Sequence, residues 1–173
     1  MIDRRQLGAG GVATLLAAFG ISKVSNMAYS ADNQTKTFEI TKTKQEWREQ
    51  LSPQQFYVLR EHGTEWAHSS PLDKVYDPGT YHCAGCELAL FSSETKFDSR
   101  TGWPSFWKPL ENAVGTSVDD SLFATRTEVH CRRCGGHLGH VFPDGPKPTG
   151  LRYCMNGIAM TFVPTAKTKK ETG

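Results

Sequence analysis

The chain has 173 residues, a hydrophobic content of 38% and a mean hydropathy of −0.48, the length of one ordinary domain and the texture of a soluble globular protein. Its 20 basic and 18 acidic residues leave a formal charge of +2, but Arg4, Arg5, Lys23 and Asp3 all fall within residues 1–30, and removing them leaves 17 of each sign. A neutral body offers no general field for nucleic acid or for an anionic membrane.

The first 30 residues read as an address. Arg4-Arg5-Gln6-Leu7 leads into an uncharged run, Leu7 to Ile21, of 15 residues, shorter than the roughly 20 that span a bilayer. A small-x-small site follows at Ala28-Tyr29-Ser30. The pattern resembles the twin-arginine export signal of bacteria. Residues 1–30 are therefore expected to be an export signal that directs the chain to the bacterial periplasm, with no stable membrane insertion. An ordinary secretory signal, an uncleaved anchor and an organellar presequence are the alternatives. Residues 31–42 are polar and read as a linker.

Thr43-Lys44-Gln45-Glu46 is a capping box that opens a short helix running to Leu51. Ser52-Pro53-Gln54-Gln55 repeats the pattern with proline at the first helical position, and His62-Gly63 closes the second helix. Beyond Gly63, glycine and proline recur every few residues and the apolar runs shorten to "LALF", "SLFATRTEV", "HVF" and "IAMTFV". Such runs predict small antiparallel strands joined by tight turns, and hence a mainly β domain over 43–164 with short N-terminal helices. Residues 165–173 form a charged tail with nothing to bury.

Two Cys-x-x-Cys pairs, Cys83/Cys86 and Cys131/Cys134, stand 44 residues apart. Two such knuckles can bring four thiolates to the corners of a tetrahedron, which is how one structural Zn²⁺ per chain is held. A pair of disulfides and a redox-active Cys-x-x-Cys are the alternatives. The duplicated two-residue spacing suits a metal better than paired bridges, and no βαβ pattern surrounds either pair. A closed four-sulfur site has no open position, so its metal stabilises rather than reacts.

That leaves Cys154 as a fifth cysteine, either a small buried hydrophobe or a reactive thiol. Arg152, two residues before it in "LRYCMNG", shares its face in a strand and favours the thiolate; Asn156 offers an amide on the same side. His137 and His140 follow the second knuckle and are available for acid–base work near neutral pH. Trp103, Phe106 and Trp107 cluster in a Gly- and Pro-rich segment, where they can wall a pocket or simply pack.

"GTEWAHSSPL", "YHCAGCELALFSSETKFDSRTGWPSFW" and "VHCRRCGGHLGHVFPDGPKPTGLRYCMNG", in this order and spacing, resemble the B-type methionine sulfoxide reductases, enzymes that act on the R epimer at sulfur. The likeness runs from about Thr43 to about Val163. It implies two small antiparallel sheets around a solvent-facing active site, with a structural zinc on the far side. It implies that Cys154 attacks the sulfoxide sulfur and is left as a sulfenic acid. By the same resemblance Trp103 faces the substrate S-methyl group, with Phe106 beside it in the substrate pocket. His137 and His140, helped by Asn156, bind and protonate the departing oxygen, and Asp144 and Arg152 orient the site and tune its charge.

Many relatives carry a resolving cysteine immediately before Gly-Trp-Pro; here that residue is Thr101, and no further cysteine replaces it. The Cys154 sulfenic acid is therefore expected to be resolved by an outside thiol, either a thioredoxin-like protein or a small dithiol. Gly157 stands where serine is common, which bears on substrate affinity. The partners expected are oxidised methionine in proteins or peptides and that reductant, with the chain itself a monomer. The rival readings are a non-enzymatic zinc-ribbon binding module, which has no need of Cys154, and a thiol–disulfide oxidoreductase, which a tightly bound zinc would rule out.

Overall fold

The computed structural model describes residues 37–121 and 124–166. The export signal read at 1–30, the front of the linker and the tail from 167 lie outside the described residues. No described helix is long and apolar enough to cross a membrane.

Both capping boxes form. Thr43 Oγ1 accepts from Glu46 N at 3.2 Å while Thr43 N donates to Glu46 Oε2 at 2.7 Å, opening helix α1, Lys44–Gln50. Ser52 and Gln55 make the same reciprocal pair ahead of helix α2, Pro53–Glu61. Each box satisfies two N–H groups that a short helix otherwise leaves bare. The left-handed residue that ends α2 is His62, at φ 56°, one position earlier than the glycine that follows it. Gly63 is needed for closeness instead: a Cβ there would lie 2.2 Å from the Tyr57 ring.

Among the described residues nine strands follow: β1 (Gly79–Cys83), β2 (Ala89–Ser92), β3 (Lys96–Phe97), β4 (Ser105–Phe106), β5 (Val114–Asp119), β6 (Arg126–Cys131), β7 (His137–Phe142), β8 (Arg152–Met155) and β9 (Met160–Pro164). They form two antiparallel sheets, one ordered β2-β1-β9 and the other β3-β4-β8-β7-β6-β5. Asn156 and a 3-10 turn, Gly157–Ala159, carry the chain from β8 in the larger sheet directly to β9 in the smaller. The mainly β fold with two short leading helices is as the sequence predicts. The strand read at "SLFATRTEV" starts only at Arg126, and β5 went unread: its burial alternates along a polar sequence on the sheet edge.

The core gathers Trp47, Phe56, Val58 and Leu59 from the helices and Tyr81, Leu90, Phe91, Phe106, Leu138 and Met155 from the strands. Phe91 stacks on Phe106 with ring centroids 4.4 Å apart, and Tyr81 meets Phe106 edge-on at 4.9 Å. Such aromatic pairs add to the burial of their large apolar area. The back of the segment read as linker is docked: Ile40 N donates to Arg133 O at 3.0 Å and Phe38 lies edge-on to His130.

Candidate active site and metal centre

The two Cys-x-x-Cys pairs sit on matching turns. In the first, Cys83 N bonds Leu88 O and Glu87 N returns to Cys83 O; in the second, Cys131 N bonds Gly136 O and Gly135 N returns to Cys131 O. The fourth residue after the leading cysteine has positive φ in both, Glu87 at 61° and Gly135 at 67°. Four sulfurs meet, Cys83 to Cys134 at 3.7 Å and Cys86 to Cys131 at 3.4 Å, with all four within 4.8 Å of one another. A disulfide needs about 2.05 Å, and all five cysteines are free. Sulfurs at the corners of a tetrahedron 2.3 Å from a metal stand about 3.8 Å apart. The cluster has the dimensions of a four-thiolate metal site.

Cys154 lies in the larger sheet, with Ser105 of β4 and His140 of β7 as its cross-strand neighbours. It opens on a cleft of about 150 Å³, lined also by Thr64, Trp103, Arg126, Gly139, Phe142 and Asn156. Gly139 is small for a reason: a Cβ there would stand 2.2 Å from the Cys154 carbonyl oxygen. Burial pushes the Cys154 thiol up from its ordinary value. The Thr101 hydroxyl, the Arg152 guanidinium and the Ser105 hydroxyl pull it back without cancelling that rise. The thiolate expected from Arg152 is thus favoured by that charge but disfavoured overall by the cleft.

Thr101 Oγ1 is 3.9 Å from Cys154 Sγ and continues into a hydroxyl chain, Thr101 to Ser99 at 2.8 Å and Ser99 to Ser105 at 2.7 Å. Arg152 grips Asp144 through two bonds of 2.9 and 2.8 Å and lies over the Phe142 ring at 4.5 Å. Trp103 forms one wall, its Nε1 donating to Glu65 O at 3.2 Å. The Glu65 carboxylate in turn accepts from Gly157 N and Ile158 N, tying the segment before the cleft to the turn after Cys154.

His140 faces the cleft and donates Nε2–H to Asp119 Oδ2 at 2.6 Å, which leaves Nδ1 unprotonated in the neutral ring. Burial pushes its pKa down and the Asp119 bond opposes that. Hydrogen bonds from Ser121 and His140 hold the Asp119 carboxyl well below the usual range. Arg126 meets the same Asp119 oxygen at 2.6 Å. His137 does not line the cleft. Its ring stands edge-on to His140 at 5.3 Å, its Nδ1 donates to Glu128 Oε1 at 2.8 Å, and its buried Nε2 has no partner among the described residues. Burial raises the Glu128 carboxyl, but hydrogen bonds from His137, His62 and Ser117 outweigh it and hold the group well below its usual range.

Two of the expected site residues are buried. Phe106 has no exposed surface; it packs between Phe91 and Tyr81 rather than against anything in the cleft. Asn156 borders the cleft, but its amide is committed to the backbone, Nδ2 to Leu138 O at 3.1 Å and Oδ1 from Glu65 N at 3.0 Å. Thr64, Glu65, Ser99, Ser105, Asp119, Arg126 and Glu128 were not singled out from the sequence. The available signal was Arg126-x-Glu128-x-His130, polar side chains on one face of a strand that enters the core.

The SelR domain family model matches residues 51–164, and the chain belongs to that family, the B-type methionine sulfoxide reductases. Among curated relatives described as peptide methionine sulfoxide reductase MsrB, that of Agrobacterium fabrum is 51% identical over 127 residues, covering 73% of this chain and 94% of its own length. The Pseudomonas syringae pv. syringae protein is 53% identical over 127 residues (73% and 97%), and the Leptospira interrogans protein 49% over 126 residues (72% and 96%).

Proposed function

We propose that the chain reduces methionine-R-sulfoxide in proteins or peptides by direct attack of Cys154 on the sulfoxide sulfur. The observation that carries this reading is the cleft itself, where the one cysteine outside the metal cluster sits across from His140 and beside Trp103. Family membership supports the reaction class.

The Cys154 sulfur bonds to the substrate sulfur as the sulfoxide oxygen takes up a proton. The oxygen then passes to Cys154, releasing methionine and leaving a sulfenic acid. Arg126 and His140 border the space the oxygen would occupy. His140, fixed by Asp119 and edge-on to His137, is suited to relay a proton, while the Trp103 ring supplies an apolar surface for the S-methyl group. Arg152 offsets part of the cost of forming the thiolate under burial. Asn156 acts as a positioning residue, holding the backbone on both sides of the cleft.

Resolution requires two thiols from outside. The first condenses with the sulfenic acid, expelling water and forming a mixed disulfide; the second displaces Cys154 as a free thiol. A thioredoxin-like protein or a small dithiol meets this need, because residue 101 is threonine. The four-cysteine cluster holds one structural zinc: a closed set of four thiolates suits that ion, and it supplies no chemistry to the cleft. We further propose that a twin-arginine signal exports the chain to the periplasm, where it acts as a monomer in repair of oxidised proteins.

The deciding experiment offers separate R and S sulfoxides of blocked methionine with a chemical dithiol. Turnover of the R epimer alone, abolished in Cys154→Ser, is the expected result. Reduction of both epimers, or undiminished activity in Cys154→Ser, would overturn it.

A further inference from the structure

Away from the Cys154 cleft, three side chains from three rigid elements converge on one point. His62 ends α2, Glu128 lies in β6 and His137 begins β7. One carboxylate oxygen, Glu128 Oε1, stands 2.8 Å from His137 Nδ1 and 3.1 Å from His62 Nδ1, and ligand atoms of all three lie within 4.8 Å of one another. Donors at right angles around an ion with bonds of about 2.1 Å are separated by about 3.0 Å. The two separations here fall on either side of that value.

The surroundings suit an ion as well as the distances do. Ser117 donates its hydroxyl to the other Glu128 oxygen at 2.5 Å, which fixes the carboxylate and leaves Oε1 facing the imidazoles. Such outer hydrogen bonds orient ligating carboxylates. Glu128 and His137 are buried, whereas the His62 side chain is 65% exposed, so the group is rigid behind and open in front. In front lies a hollow of about 490 Å³ walled also by Val118, Asp119, Asp120 and Ser121, with room for water to complete a coordination shell. The carboxyl-terminal end of α2 adds a favourable potential for positive charge.

We propose that His62, Glu128 and His137 form a second metal site, a two-histidine, one-carboxylate face that takes a first-row divalent ion such as Co²⁺, Ni²⁺ or Zn²⁺. This donor set with open positions favours transition metals over Ca²⁺ or Mg²⁺, which prefer all-oxygen shells. The ion displaces the protons the two imidazoles share with Glu128, and it is bound independently of the four-cysteine cluster. Because His137 lies edge-on to His140, an ion here also fixes the ring behind the cleft.

The test is titration of protein already carrying one zinc per chain with Co²⁺, followed by calorimetry and visible absorption. One further equivalent is expected to bind, with the weak visible bands of nitrogen and oxygen ligation. His62→Asn keeps a residue that tolerates the left-handed backbone and removes the imidazole; it should weaken binding at least tenfold, as should Glu128→Gln, while Cys154→Ser should leave it unchanged. No binding beyond the zinc already present, binding insensitive to His62→Asn, or a thiolate charge-transfer band lost in Cys154→Ser would each overturn the proposal. The last outcome would put the ion in the Cys154 cleft. All three readings are independent of reductase activity.

Discussion

Replacing Thr101 by cysteine should place a resolving thiol beside Cys154. Thr101 Oγ1 already lies 3.9 Å from Cys154 Sγ, and a disulfide requires about 2.05 Å, so the partners must close by roughly 1.9 Å. Rotation of two short side chains and a small shift of the turn holding Thr101 can cover that distance. The new bond would span 53 positions, and closing a loop of that size restricts the unfolded chain by about 4 kcal/mol. For a domain of this length that raises the melting temperature of the oxidised form by roughly 10–15 °C, less any strain in the bridge. The assay is a single turnover with blocked methionine-R-sulfoxide and no reductant. The parent protein should then label with a sulfenic-acid probe. Thr101→Cys should not label, should lose two hydrogens in mass and should melt higher until a dithiol is added. Sulfenic labelling at the parent level, with no mass loss, would refute the claim that position 101 reaches the reacting sulfur.

Because burial lifts the Cys154 thiol, its alkylation rate should rise through a midpoint above the free-thiol value of about 8.5, and Arg152→Met should move the midpoint higher still. A midpoint below 8 would contradict the burial argument. The sign for stability follows: a thiol whose pKa is raised by folding favours the folded state at lower pH, and that contribution is lost as pH climbs through the folded value. Asp119→Asn should lower kcat by roughly 10–100-fold, since it removes the charge that fixes His140 and holds Arg126 at the cleft; a pure KM effect would place Asp119 in substrate binding alone. Phe106→Ala should cost about 3–5 kcal/mol of stability, and Phe106→Leu should lower the melting temperature while leaving KM for the sulfoxide unchanged. Stripping the four-cysteine metal with a strong chelator should release one zinc per chain and lower the melting temperature sharply; an unchanged melting curve would argue against a scaffolding role.

The parts of this protein that the sequence announces are those carried by local chemistry. Two capping boxes, two matched knuckles and the unpaired Cys154 are visible because each depends on residues a few positions apart. The residues that make Cys154 part of a site are distant in sequence. Asp119 reaches His140, and Glu128 reaches His137, through the register of β5, β6 and β7, and no spacing rule within one strand encodes which carboxylate meets which ring. Burial is likewise set by contacts distant in sequence. Phe106 and Trp103 stand three positions apart in one aromatic cluster, yet only the stack on Phe91 decides that the first is core and the second a wall. Asn156 looks like an amide on offer until its two ends are found tied to Leu138 and Glu65.

The passage from β8 to β9 makes the two sheets mechanically one. Cys154 sits on the first strand, and Met160, at the start of the second, is paired with Cys83 at the end of β1, itself a member of the sulfur cluster. Only Asn156 and the 3-10 turn, clamped by Glu65, separate the two strands. One strand pairing and a few peptide bonds therefore connect the sulfur cluster to Cys154. A metal held by the four cysteines thus anchors the strand that follows Cys154 as well as the knuckles themselves.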